Sequence, residues 1–341
     1  MSKIFNGSKP NIVFIFIVQF LALRFTPAEG MTENELARIS LRVYLGETIS
    51  NKYYDVPIGE TRNLALKLDA AKPTVLYLHG FQENLERESV RTIVGAYLKR
   101  GDHNVIAVNY AEIANGTYVQ AAESAEAVGK KLAIALRQLI AGVLDPKLIH
   151  IVGYSLGAQV AAYINKYAVV FKVQRLTALD PIGPAFLAVA KRITSADAKF
   201  VDVIHTDAFI YGNGYASGGA DFWPNSGLRV QPGCPLQYEK GSEEDFCSHQ
   251  RSWQYYAESV ENPKAFMAAK SVTWTKFLGS AHKKQDLVPM GLATPFGTTG
   301  LFYLKTNQQS PFGMEENGVK LADVSKVFTH LHGYNKTIRK L

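Results

Sequence analysis

The sequence predicts an open, mostly parallel α/β sheet with helices on both faces, and three observations carry that prediction. Five short runs rich in Val, Ile and Leu recur roughly 25 to 45 residues apart: Thr74–Leu78, Asn104–Val108, Leu148–Val152, Arg175–Leu179 and Val201–Ile204. Continuous apolar runs of that length suit strands buried on both faces of a parallel sheet. Helical patterns fill the gaps: Tyr118–Leu139 is Ala-rich, and Leu156–Tyr167 follows a strand directly. Alternating β and α elements give a parallel sheet with crossover helices. The composition, 47% hydrophobic and 20% charged, supplies a core and excludes a disordered or fibrous chain.

Ahead of the first apolar run, Ile39–Leu68 holds strand-like pieces that read as an antiparallel edge. Before that, Lys3 and Lys9 precede the apolar run Ile12–Leu23, and Pro27-Ala28-Glu29-Gly30 is a small-residue segment where cleavage could occur. A membrane span needs about 20 apolar residues, so residues 1–30 read as a signal peptide and the protein as secreted. Residues 31–341 read as a single domain, its tail from about Met314 unassigned. The 37 basic and 30 acidic side chains leave a formal charge of +7. That excess is spread along the chain, with no basic arm for nucleic acid and no metal-type run of Cys and His. Two cysteines exclude a disulfide-built scaffold.

The strongest local motif is Gly153-Tyr154-Ser155-Leu156-Gly157, between an apolar strand and a helical segment. That is the context of a nucleophile elbow, in which a sharp strand-to-helix turn lifts a serine hydroxyl clear of the sheet. Small residues two before and two after let neighbouring backbone pass closely. The helix start offers N–H groups to a developing oxyanion. A serine needs a base and an orienting acid. Asp180 ends the next strand-like run, before Pro181, on the rim where sites of open α/β sheets lie. Its other reading is a turn aspartate. Eight histidines could supply the base. Chain order favours one after Asp180, and pattern goes no further: His249 sits in a polar segment and reads as loop-borne and exposed, while His205 reads as a hydrogen-bonded core residue. His79-Gly80-Phe81 ends another strand, where an H-G turn supplies a second oxyanion donor, the Phe81 N–H beside that of Leu156.

Together these motifs resemble the pancreatic lipase family of secreted serine esterases. The matching stretches are LYLHGF (76–81), IVGYSLGAQVAAY (151–163), LTALDPIGPAF (176–186), DAKFVDVIHTD (197–207), DFWPNSG (221–227), QPGC (231–234) and CSHQRSWQYYAES (247–259), in family order, and the similarity runs from about Leu41 to Phe312. The resemblance implies an α/β-hydrolase fold with Ser155 as nucleophile, Asp180 as triad acid, His249 as base, and Phe81 and Leu156 as oxyanion donors. It also implies that Cys234 and Cys247 form the disulfide that closes a lid loop over the site.

Departures from the family pattern narrow the expectation. The lid is short and acidic, and the segment from Ala208 to Gly219 is also short. Members with both loops short tend to be phospholipases A1, so sn-1 acyl release from a phospholipid at a membrane, micelle or lipoprotein surface is the expected activity. A neutral tri- or diacylglycerol lipase is the alternative within the same chemistry. A lipid-binding or yolk-type protein is the alternative outside it, although such relatives have typically lost a triad residue. The family's C-terminal sandwich domain is not expected after Phe312, and with it no colipase-like partner is expected. At the family's calcium loop Arg192 and Asp197 match, while Val189 and Thr194 stand where acidic ligands are usual. No metal and no other cofactor is therefore expected. Tyr154 and Gln159 replace histidines frequent in the family. Asn115-Gly116-Thr117 and Asn335-Lys336-Thr337 are candidate glycosylation sequons; Asn6 also fits but lies in the leader.

Overall fold

The computed structural model describes residues 31–50, 52–184, 186 and 192–321. The expected leader, Val189 and the Asn335 sequon lie outside the described residues. The strands are β1 (Ser40–Tyr44), β2 (Tyr53–Pro57), β3 (Thr74–Leu78), β4 (Asn104–Asn109), β5 (Ile149–Tyr154), β6 (Arg175–Leu179), β7 (Phe200–Ile204), β8 (Ala220–Pro224), β9 (Met267–Lys270), β10 (Val288–Pro289) and β11 (Gly300–Leu304). They form one sheet in the order β10-β9-β11-β8-β7-β6-β5-β3-β4-β1-β2. From β11 to β4 all neighbours are parallel. The β1–β2 hairpin and the β9–β10 pair add antiparallel edges. This is the α/β-hydrolase arrangement the sequence predicts, with its N-terminal antiparallel edge.

The boundaries differ in instructive ways. The run placed at 148–152 starts one residue later, because Leu148 belongs to a short turn capped by Asp145, and continues to Tyr154 through pairing with Leu179 of β6. Two parallel strands, β8 and β11, were not anticipated. Asp221 interrupts the apolar pattern of β8 and Pro224 ends it, so its burial is visible only once β7 and β11 flank it. Of the tail, residues 315–319 form a 3₁₀ turn.

The helices are α1 (Glu33–Leu36), α2 (Glu88–Arg100), α3 (Ala111–Ala114), α4 (Tyr118–Gly142), α5 (Leu156–Tyr167), α6 (Glu243–Glu261) and α7 (Trp274–Leu278). α4 begins at a capping box, with Thr117 and Gln120 bonding each other's backbone N–H. Its buried residues Ala121, Ala125, Val128, Leu132, Leu136 and Leu139 recur every three or four positions, which is one helical face. That face and α5 cover one side of the sheet within one apolar cluster. α2 and α6 cover the other side within a second, and the Tyr97 and Tyr256 hydroxyls join them at 2.7 Å. No helix among the described residues is long and apolar enough to cross a membrane.

The chain passes from β3 to β4 on one side of β3, then returns to place β5 on the other. Crossovers that leave in opposite directions open a crevice above the carboxyl ends of β3 and β5, where ligands of open α/β sheets bind.

Close helix packing gives this fold a test. A Cβ on Gly129 of α4 would lie 2.4 Å from Tyr163 Cβ on α5. Gly to Ala inside a helix ordinarily stabilises by about 1 kcal/mol. Gly129→Ala should here destabilise by about 1–3 kcal/mol, the cost of overpacking. Urea unfolding measures the sign, and a gain in stability would contradict the observed packing.

Candidate active site

Ser155 stands at the end of β5 with φ 54° and ψ −115°, a conformation that L-residues rarely adopt. The surroundings hold it there. Its N–H donates to Leu179 O at 3.0 Å and its C=O accepts from Ile182 N at 3.2 Å. A Cβ on Gly157 would lie 2.3 Å from Leu78 O, and one on Gly153 2.4 Å from Gly157 O. Only glycines let α5 start this close to β3 and β5, as the elbow requires.

Asp180 follows β6, fully buried, with φ 41°. Its Oδ1 accepts N–H bonds from Thr206 at 2.9 Å and Asp207 at 3.2 Å. Its Oδ2 lies 2.6 Å from His249 Nδ1, and His249 Nε2 lies 2.9 Å from Ser155 Oγ. A carboxylate only accepts, so Nδ1 carries the proton, Nε2 is free to accept, and the serine hydroxyl donates. Ser155, His249 and Asp180 are thus brought into one relay, each at most 4% exposed.

His249 corrects one expectation. It is not loop-borne and exposed but lies within α6, 4% exposed. The segment looks polar because α6 turns Asp245, Ser248, His249, Arg251 and Ser252 inward, where Arg229, Gln231 and Pro232 bond Asp245, Ser248 and Arg251, Asp180 and Ser155 bond His249, and Ser252 bonds His249 O within the helix. The Cys234–Cys247 disulfide is present, Cα atoms 5.7 Å apart, and places a half-cystine two positions before His249. Of the acidic lid, Glu243, Glu244 and Asp245 form the first turn of α6 beneath the Ser242 cap, where negative side chains suit the helix dipole. The flap proper is only residues 235–241.

His205 is the core residue expected. It stacks on Trp223 at 3.7 Å and bridges Asn213 O at 3.1 Å and Asp221 Oδ1 at 2.8 Å. Asp221 also accepts the N–H groups of Ser217 and Gly218, so the short 208–219 loop is strapped down with Gly212 against Asp180. Gln159 donates to Ile182 O at 2.9 Å and accepts from Ile193 N at 3.0 Å. Tyr154 packs beneath Gly80, its ring 5.0 Å from that of His249.

The turn after β3 is held by groups the sequence reading passed over. Glu83 accepts from Gly80 N and from Ser89 Oγ, both at 2.7 Å, and Gln82 N donates to Ala114 O at 3.0 Å. Phe81 lies between these two anchored residues. Burial raises the Glu83 carboxyl above its ordinary value. Asp207, fully buried after β7, was also missed; burial is the main cause pushing its pKa up to about 6, the Asp180 charge adds to it, and Arg229 opposes. The rule that singled out Asp180, an acid at the carboxyl end of a parallel strand, applies equally to Asp207 after β7. Nothing local marks Glu83 or Arg229.

Asp197 at the calcium-loop position accepts from Lys166 Nζ at 2.5 Å, Thr194 N at 2.7 Å and Thr194 Oγ1 at 3.1 Å. An ammonium and a hydroxyl on one carboxylate do not fit a calcium site, which takes six to eight oxygen ligands.

His79 supports the same turn. It is fully buried, stacks on Tyr110 at 4.2 Å and donates through Nδ1 to Gly80 O at 3.0 Å. Burial pushes its pKa down from 6.5 to about 4. The unfolded chain accepts a proton here below about pH 6.5 and the folded protein does not. The stability tied to this group is complete above that pH and lost progressively as pH falls toward 4. Imidazole ¹⁵N shifts should show His79 neutral at about pH 5.5; a protonated ring there would contradict its burial.

The Lipase family model matches residues 27–312. "Phospholipase A1 member A" of Rattus norvegicus is 32% identical over 217 residues, covering 62% of this chain and 47% of the relative. "Pancreatic triacylglycerol lipase" of Oryctolagus cuniculus is 31% identical over 271 residues, covering 71% and 57%. "Inactive pancreatic lipase-related protein 1" of Homo sapiens is 32% identical over 226 residues, covering 60% and 48%. The chain spans about half the length of these curated relatives.

Proposed function

The chain belongs to the Lipase family, and on that premise we propose that it is a secreted serine carboxylic ester hydrolase that releases the sn-1 acyl chain of phospholipids. One observation carries the chemistry: the Ser155 Oγ–His249 Nε2–Asp180 relay, at 2.9 and 2.6 Å, set at an elbow above the strand crevice. Because the family includes a relative described as inactive, turnover is read from this relay and not from membership.

In the proposed reaction Ser155 Oγ attacks the ester carbonyl as His249 Nε2 takes its proton. Asp180 stabilises the imidazolium and holds its orientation. The Phe81 and Leu156 N–H groups receive the oxyanion, each worth about 2.7–4 kcal/mol. Leu156 opens α5, and N–H groups in the first turn of a helix have no acceptor within it. His249 then protonates the leaving alcohol, and water, deprotonated by the same imidazole, releases the fatty acid and restores the serine.

The phospholipid preference rests on the loops. A seven-residue flap and a strapped 208–219 loop expose Leu236, Phe209 and Ile210 to a lipid surface but are too short to wall in three acyl chains, and leave room for a polar head group. The leader and the disulfide support secretion, since disulfides persist in oxidising compartments. Asn115 is exposed and is proposed as a glycan site; a mass shift on deglycosylation supports it, and the bare polypeptide mass refutes it.

Hydrolysis of a phospholipid labelled separately at its two acyl positions, beside triolein, tests the assignment. Release from sn-1 with little triolein turnover is expected. Preferential triolein hydrolysis would make the protein a neutral lipase, and silence on both would leave the lipid-binding reading. Ser155→Ala should lose turnover roughly 10⁵-fold or more while remaining folded. Activity should rise only gradually through the critical micelle concentration, because a disulfide-tied flap uncovers little surface; a steep jump would contradict the loop reading.

A further inference from the structure

The site crowds negative charge around one imidazole. Asp180 bonds it from the end of β6. A carboxylate oxygen of Asp207, after β7, comes within 4.8 Å of both an Asp180 oxygen and a His249 ring nitrogen. Glu83, in the turn after β3, interacts with it electrostatically. The rings of Tyr154 and Tyr211 lie 5.0 and 5.7 Å from its own, and Asp245 lies one turn earlier on α6. A general base must be neutral at rest and charged in the transition state. A second uncancelled carboxylate at this range would hold a proton on the cluster at rest, because an opposite charge within about 4–6 Å favours the charged form by one to three pH units.

Arg229 lies where that second charge must be cancelled. Its Nε meets Asp207 Oδ1 at 2.6 Å and its Nη2 meets Asp207 Oδ2 at 2.5 Å, a two-pronged pair. The remaining donors reach Asp245 Oδ1 at 2.7 Å, Asp245 O at 3.0 Å and the flap hydroxyl of Tyr238 at 2.9 Å. The guanidinium also lies 5.2 Å from the centre of the Tyr211 ring, and Tyr211 donates to Asp245 Oδ2 at 2.6 Å. Taking the Ser155–Asp180–His249 assignment of the proposed function as given, we propose that Arg229 is a positioning residue of the triad: by pairing with Asp207 it leaves Asp180 as the one uncancelled carboxylate of the two at the ends of β6 and β7.

The test is the pH dependence of kcat/KM on a soluble p-nitrophenyl ester from about pH 5 to about pH 9, with the His249 imidazole ¹⁵N titration followed in the same proteins. In Arg229→Gln both the acid limb and the ¹⁵N midpoint should move up by about one pH unit or more. Activity near pH 6 then falls about tenfold, while the alkaline plateau changes less. Arg229→Lys keeps the charge and should leave both near wild type. Asp207→Asn/Arg229→Gln should return both toward wild type. A rescue of this kind separates charge cancellation from loss of packing. A folded Arg229→Gln with an unmoved limb and midpoint, or a double variant that keeps the shift, overturns the proposal. If Arg229→Gln does not fold, Asp207→Asn decides: with one anion removed both readings should move down, and unmoved readings refute it. A wild type silent on esters whose variants still move the ¹⁵N midpoint rejects the hydrolase and keeps this inference. An active wild type whose variants move neither rejects this inference alone.

Discussion

The close approach of α5 to the ends of β3 and β5 is the constraint from which the site follows. At Gly157 a single methyl would lie 2.3 Å from Leu78 O and 2.5 Å from His79 O. This contact fixes where the helix begins, and hence where the Leu156 N–H and Ser155 Oγ stand. It also brings the helix start against the turn bearing Phe81. The unusual backbone of Ser155 is tolerated because both of its peptide groups are bonded, one to β6 and one to Ile182. Conformational strain and oxyanion geometry are thus two results of one packing choice.

Around that frame the protein manages buried charge. Asp180, Asp207 and Glu83 all lie near His249, and each is compensated differently: Asp180 by two backbone N–H groups and the imidazole, Asp207 by the Arg229 fork, Glu83 by Gly80 N and the Ser89 hydroxyl. Leaving a buried carboxylate unpaired would cost several kcal/mol. Glu83 is satisfied within its own turn and the start of α2, but the partners of Asp180 and Asp207 come from segments far apart in sequence, so the bonds of His249 and Arg229 join the ends of β6 and β7, the flap and α6. Site electrostatics and loop anchoring are here one network.

Much of the frame was legible in the sequence. The parallel core strands were visible because burial on both faces demands uninterrupted apolar runs. Ser155 was visible because an elbow is local, a strand, two glycines and a helix in direct succession. β8 was hidden by Asp221, whose carboxylate is needed by His205 and the loop behind it. His249 was misplaced because α6 buries polar residues against partners up to 94 positions away, so its pattern looked solvated. Asp207 shares with Asp180 the signature of an acid beyond a parallel strand, whereas Arg229 and Glu83 carry no local signature and their significance exists only in the folded arrangement. The resemblance to a known family supplied the choice among histidines and the cysteine pairing, which pattern alone had left open.

The central claim is that Ser155 is chemically activated by its surroundings. Covalent labelling with a fluorophosphonate, followed by peptide mapping of the intact chain, tests it without presupposing any lipid. The account predicts one adduct, on the peptide containing Ser155, absent when His249 is replaced by Ala. No adduct, or an adduct on another serine, would contradict it.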